Sequence, residues 1–154
     1  MRENVTAQVG GRPEDWTVDA SVGPPWSLVI TAPSGERFEG AGIDLFQALR
    51  AARLPLDERG ILLCCNGARI NAHPSGLTSS QGGDMVYLNH RWRPAGRRDL
   101  RYVFGPAPAR KIATVAEQDQ FWEEFADTTR ISWTIYLNPV RWLYLVAQSV
   151  RDRK

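Results

Sequence analysis

Two adjacent cysteines, Cys64 and Cys65, two histidines, His73 and His90, and the serines Ser75, Ser79 and Ser80 are the residues from which a nucleophile and its base could be drawn. A working pair needs the base within hydrogen-bond reach of the nucleophile, held there by a third group. The spacing here speaks against it. Ser75 lies in Pro-Ser-Gly, not in the Gly-x-Ser-x-Gly of a strand-to-helix elbow. His73 stands two residues from Ser75, too near along the chain for an organised pair to be the default. No catalytic residue is assigned; an enzyme built on this chain would have to use Cys65, Ser75 or His73.

Other chemistries fare similarly. Adjacent thiols lack the two-residue gap that turns both toward one ion, so no metal and no cofactor is expected. Ser79-Ser80-Gln81-Gly82-Gly83 could form a backbone nest for phosphate, but the segment after it reads as a strand, and phosphate loops open helices. Asp57-Glu58 and Glu123-Glu124 are neighbours whose side chains diverge, as solvated charges do.

The strongest binding signal is basic and aromatic: His90-Arg91-Trp92-Arg93, then Arg97-Arg98, then Arg101-Tyr102. The net charge is only +2, yet residues 61–110 hold seven arginines against two aspartates. Arginine suits carboxylates and phosphates, and tryptophan stacks on bases. Three readings stay open: a solvated surface, an acidic protein partner, and nucleic acid. The expected partner-binding set is Arg91, Trp92, Arg93, Arg97, Arg98 and Arg101, joined by His73, Ser75 and Gln81 from the loop 71–83.

These residues need a scaffold. The 154 residues are 43% hydrophobic and 23% charged, the balance of an ordinary globular chain long enough for a core without disulfide or metal staples. Residues 1–15, with Gly10, Gly11 and Pro13, are expected to be a flexible lead-in, and 16–154 a single α+β domain. Trp16 to Ala20 alternates and reads as a short edge strand. Residues 26–31 and 36–40 read as a hairpin turning at Pro33-Ser34-Gly35. Asp44 is an N-cap, and Leu45, Phe46, Leu49 and Ala52 form one face of a helix to Arg53, which Pro55 should end or bend. Residues 61–65 form an unbroken apolar run, expected to be a central strand buried on both faces. Asn66-Gly67 suits a type I′ turn into a short strand at 68–70. An irregular loop over 71–83 leads to a strand at 85–88, and residues 100–104 add an edge strand.

Residues 90–111 are then a basic connector, and 112–154 a helix, strand and helix. Thr114 with Glu117 makes a capping box for a helix to about Ala126. Residues 131–137 are β-prone, and Asn138-Pro139 opens a last helix over 140–151. That helix is apolar on most sides, which fits the core, an interface or a membrane surface. Arg141 and Pro139 argue against a membrane span. Two thiols with no expected bridge, and no apolar leader after Met1, point to a reducing cytoplasm.

From Leu54-Pro55-Leu56-Asp57-Glu58-Arg59-Gly60-Ile61-Leu62-Leu63 through Asn66-Gly67-Ala68-Arg69-Ile70, then Gly76-Leu77-Thr78 and Asp84-Met85-Val86-Tyr87-Leu88, the chain resembles ubiquitin-like β-grasp proteins. The resemblance covers about residues 26–89. It implies a β-grasp-like mixed sheet with one packing helix, extended here by an extra strand or two and by two C-terminal helices. Modifiers and sulfur carriers of that group act through a Gly-Gly tail. The last residues here are Arg151-Asp152-Arg153-Lys154, so that activity is not expected. Cys65-Asn66-Gly67-Ala68-Arg69, Pro74-Ser75-Gly76 and Gly82-Gly83 are also similar to small uncharacterised bacterial proteins of toxin–immunity neighbourhoods. That resemblance implies a non-enzymatic bacterial protein-binding module, such as an immunity-type inhibitor or adaptor. The alternatives are a nucleic-acid-binding accessory using residues 90–102, and the small enzyme named above.

Overall fold

The computed structural model describes the backbone of residues 1–91 and 93–136, with side chains as far as Ala126. The fold is α+β. Its first unit, residues 1–121, begins with a long hairpin of β1 (Arg2–Val9) and β2 (Arg12–Ala20). The expectation of a flexible lead-in is therefore corrected. Val5 and Ala7 alternate inward on β1, as do Trp16, Val18 and Ala20 on β2. Gly10 and Gly11 both take positive φ, 56° and 80°, as a two-residue primed turn requires. Pro13 pairs with Gln8, at a point that β3 does not reach along β2, so its missing N–H leaves no second ladder broken.

The sheet continues through β3 (Trp26–Thr31) and β4 (Arg37–Gly42), in the order β4-β3-β2-β1-β5. Trp16 to Ala20 thus belongs to an interior strand, not to an edge. Helix α1 (Leu45–Glu58) packs on the sheet through Phe46, Leu49, Ala52 and Leu56, with Asp44 as N-cap. The approach is close: a Cβ on Gly40 would overlap the Ala48 carbonyl oxygen and lie 2.5 Å from the Ala52 nitrogen. Pro55 sits inside α1 and does not end it. It removes one N–H, but Leu56, fully buried, pins the final turn to the core.

The apolar run at 61–65 is an edge, not a central strand. Its strand is short, β5 (Leu62–Leu63), paired with Ala7 and Gln8 of β1, and Cys65 adds an isolated bridge to Pro106. Its burial comes from loops: Ala107 N–H donates to the Cys64 carbonyl at 3.1 Å and Asn66 N–H to the Gly105 carbonyl at 2.8 Å. Asn66–Ala68 is a 3₁₀ turn, not a type I′ turn, and Gly67 keeps an ordinary φ. Glycine is needed there for space, since a Cβ would stand 2.6 Å from Val103 Cγ2 and 2.7 Å from Leu49 Cδ2. No strand forms at 68–70; the chain makes a single bridge between Arg69 and Ile112.

A second sheet holds β6 (Ala72–His73), β7 (Met85–Leu88) and β8 (Leu100–Tyr102), in that order. Residues 26–89 therefore do not share one sheet: the hairpin β3–β4 lies in the first and β7 in the second. Every pairing between named strands is antiparallel. Between β6 and β7 the expected loop contains a short helix, α2 (Gly76–Ser80), capped by Ser75.

The chain divides between Phe121 and Trp122, inside α3 (Val115–Tyr136). The expected capping box opens α3: Glu117 N–H donates to Thr114 Oγ1 at 3.2 Å, and Thr114 N–H to Glu117 Oε2 at 2.7 Å. The strand expected from 131 is helical through Tyr136. No Gly or Pro stands between Val115 and Asn138, so β-propensity at 131–136 has no breaker to act on. In the second unit Trp122 and Phe125 stack with centroids 5.2 Å apart. The expected last helix and Trp92 lie outside the described residues.

Candidate functional site

The residues of the enzyme reading are each in structural use. Cys65 is fully buried, and loss of solvation pushes its thiol up to about 11, away from thiolate chemistry. Burial raises the Cys64 thiol too, and its Sγ points at the Leu62 carbonyl at 3.8 Å. Ser75 Oγ accepts from Thr78 N–H at 3.1 Å as the cap of α2. His73 Nδ1 lies 2.6 Å from the Pro74 carbonyl, so that nitrogen carries the proton. Burial lowers the pKa of His73, with the nearby Arg50 acting in the same direction. Its ring rests against Phe46 at 5.8 Å.

The Ser79 hydroxyl donates to the buried Asp44 carboxylate. Asp44 also accepts from Gln47 N–H at 2.8 Å, and Leu45 N–H donates to the Gly82 carbonyl at 2.8 Å. Ser79 to Gly83 is thus a clamp on the start of α1. A Cβ on Gly83 would stand 2.7 Å from Asp44 Cγ and one on Gly82 2.7 Å from the Trp26 ring, so each glycine makes room for a side chain packed against it. Among the described residues no group of three or more His, Cys, Asp or Glu could hold a metal ion.

The basic segment sorts into two kinds of arginine. Arg93 turns inward and grips buried Asp99 with both ends of its guanidinium, Nη1 to Oδ2 and Nη2 to Oδ1, each at 2.6 Å. Gly96 N–H donates to Asp99 Oδ2 at 2.9 Å, and His90 Nε2 lies 3.1 Å from Oδ1. Arg93, then these other donors, hold the Asp99 carboxyl far below the usual carboxylate range. Arg93 therefore shapes the loop. Arg91 lies over the Phe121 ring at 5.5 Å.

Arg97, Arg98 and Arg101 are exposed. The first two sit on a 3₁₀ turn, Arg97–Asp99, whose capping carboxylate is Asp99 itself. Arg101 Nη1 donates to the carbonyls of Arg98 and Leu100, each at 2.8 Å, which holds its guanidinium beside the turn. None of the three forms an ion pair among the described residues.

The second sheet sets the distances between the expected contact residues. His73 on β6 pairs with Tyr87 on β7, which pairs with Leu100 on β8. His73 and the start of β8 are two strand spacings apart, roughly 10 Å. Ser75 and Gln81 flank α2, toward the Met85 end of β7, while Arg97 and Arg98 precede the strand that meets its Tyr87 end. Ser75 and Gln81 are therefore held toward one end of β7, and Arg97 and Arg98 toward the other.

One residue absent from the expected set lies beside the arginines. Arg69 follows the turn at 66–68, where Gly67 N–H donates to the Val103 carbonyl at 2.8 Å and Asn66 Nδ2 to the Tyr102 carbonyl at 3.1 Å. Ile70 N–H then donates to the Lys111 carbonyl at 3.1 Å. Nothing in the local pattern Ala68-Arg69-Ile70 marked it, because its neighbours come from far along the chain. No protein-family model matches this sequence, and no curated protein matches it.

Proposed function

We propose that this chain is a protein-binding module that presents Arg97, Arg98 and Arg101 to an acidic partner and performs no covalent chemistry. The observation that carries the reading is the split of the arginines around Asp99. The one buried carboxylate of the segment is saturated by Arg93, Gly96 and His90, which fixes the loop and leaves Arg97, Arg98 and Arg101 exposed. A preset loop loses little conformational freedom on binding. An immunity-type inhibitor or adaptor in a bacterial cytoplasm is the form this reading takes. Among the described residues no helix is long and apolar enough to cross a membrane.

The test is a pull-down from the native host with the wild-type chain and with Arg97→Glu/Arg98→Glu, followed by affinity measurement on the purified pair. The double variant should weaken a nuclease-resistant protein partner at least tenfold, mostly through slower association. Unchanged recovery overturns the reading. Capture of nucleic acid alone, with affinity falling steeply with salt, would replace it by the nucleic-acid reading.

A further inference from the structure

Arg69 is the described arginine whose position its own fold leaves unexplained. Its side chain is half-buried, and its Nε is fully enclosed without a hydrogen-bond partner. Arg53 has a similar orphan Nε, but its other nitrogens are taken by Gln118 and Ala113. No hydrogen bond or ion pair is made by the Arg69 guanidinium among the described residues.

Its surroundings are also basic. The segment 66–72 is tied at one end to Tyr102 and Val103, at the end of β8, and at the other to Asn89, after β7, where Asn89 N–H donates to the Asn71 carbonyl at 2.8 Å. Arg69 lies between these ties, and Arg101 lies between Leu100 and Tyr102 on β8, paired with Val86 of β7. Across the Arg69–Ile112 bridge the chain brings Arg110 and Lys111, both exposed. Burial and the charge of Arg101 both lower the pKa of Arg69, and no carboxylate acts against them. Tyr102 Oη, on the same strand as Arg101, donates to Glu3 Oε1 at 3.1 Å.

We propose that Arg69 and Arg101 form a binding site for a dianionic phosphoryl group. Two guanidinium groups on neighbouring segments, neither with a carboxylate partner among the described residues, are matched by a ligand of charge −2, and a phosphoryl group offers three oxygens to forked N–H donors. Elsewhere the chain supplies its own acid for an arginine, Asp99 for Arg93 and Asp119 for Arg50. At Arg69 the described residues supply none. The inference rests on the basic face being a binding surface, and it adds the chemistry of the anchor: a phosphate, free or carried on a partner's side chain.

The experiment titrates the full chain with inorganic phosphate, and in parallel with a phosphoserine peptide and its unphosphorylated form. Chemical shifts and melting temperature are followed against chloride at matched ionic strength. Phosphate should bind where chloride does not, and Arg69→Gln and Arg101→Gln should each weaken it about tenfold or more. Arg69→Lys, which keeps the charge without the fork, should fall between. Arg12→Gln, in the β1–β2 hairpin, should bind as the wild type does. A peptide tighter than inorganic phosphate and displaced by it places the group on a partner; inorganic phosphate alone indicates a free anion. Equal effects of phosphate and chloride, or a folded Arg69→Gln variant with full affinity, overturn the site. The pull-down variants keep Arg69 and Arg101. A captured partner with a flat phosphate titration defeats only the phosphoryl site, and phosphate binding without a partner defeats only the protein-binding reading.

Discussion

Arg53 shows how much of this chain's arginine is structural. It projects from α1 into the core, where Nη1 donates to Gln118 Oε1 at 2.8 Å, Nη2 donates to the Ala113 carbonyl, and Asp57 lies 3.9 Å away. Gln118 in turn donates to the carbonyls of Gly67 and Arg69, at 3.0 and 2.8 Å, and Asp57 accepts from Val115 N–H at 2.7 Å. The start of α3 is thus fastened to α1 and to the 66–69 turn by one polar network. Truncating Arg53 leaves the Gln118 amide oxygen and the Ala113 carbonyl without their donor and removes the charge that faces Asp57. Arg53→Ala should cost about 3–5 kcal/mol in urea denaturation, and Gln118→Ala about 1–3 kcal/mol. The pair should couple in a double-mutant cycle; additive losses would show that the two residues act separately. Cysteine reactivity follows from burial at the same scale. With its thiol pushed up to about 11, Cys65 should resist a thiol reagent at pH 8 in the native protein and react once urea unfolds it. Rapid native labelling of Cys65 would reopen the enzyme reading.

At the level of elements, glycine marks where strand and helix meet. Gly40 and Gly35 look alike in sequence, one in β4 and one in the turn before it. Gly35 has φ +88° and open space around it, so Gly35→Ala should cost about 1 kcal/mol of backbone strain. Gly40 has ordinary φ but lies under α1, so Gly40→Ala must push helix and strand apart, at about 2–3 kcal/mol or more. Denaturation midpoints of the two variants, measured together, decide the order; equal losses would mean that the α1–β4 contact relaxes freely. The contrast also explains what the sequence could tell. Asp44, the i, i+4, i+7 face of α1, the hairpin β3–β4, β7 and the Thr114–Glu117 capping box were legible, because each is a local pattern of cap or period. The hairpin β1–β2 was equally legible in principle, with Gly10-Gly11 between two alternating runs, but its polar outer residues resemble a tail. Three features were hidden: β5 as an edge, the split into two sheets, and the role of Asp99. Each depends on residues that meet only in the fold, as Cys64 meets Ala107 and Arg69 meets Ile112. Of the candidate site, Arg97, Arg98 and Arg101 could be read from charge alone. That Arg93 faces inward required Asp99, six residues on, to be buried.

Across the whole molecule, the buried titratable groups set a window of pH in which the fold is most stable. His73 has a folded pKa below its ordinary 6.5, first because burial disfavours the imidazolium. Its contribution is therefore complete above about pH 6.5 and is lost as pH falls through the lower folded value. Asp99, held far below its ordinary 3.8 by Arg93, contributes above about pH 4 and loses that contribution only in stronger acid. Asp57 has the opposite sign: burial raises its pKa, so it favours the fold at low pH and offsets part of the Asp99 loss. On the alkaline side, Cys65 rises from 9.0 to about 11, and its contribution is present below pH 9 and lost between 9 and 11. The stability curve should thus be flat between about pH 7 and 9 and fall first on the acid side below 6.5, before carboxylates titrate. His73→Gln, which keeps a donor for the Pro74 carbonyl, should remove that first acid step and leave the alkaline limb in place. Urea midpoints measured from pH 4.5 to 10.5 on the wild type and on His73→Gln decide the matter. If the step persists in His73→Gln, the burial of His73 is not what limits the fold in mild acid.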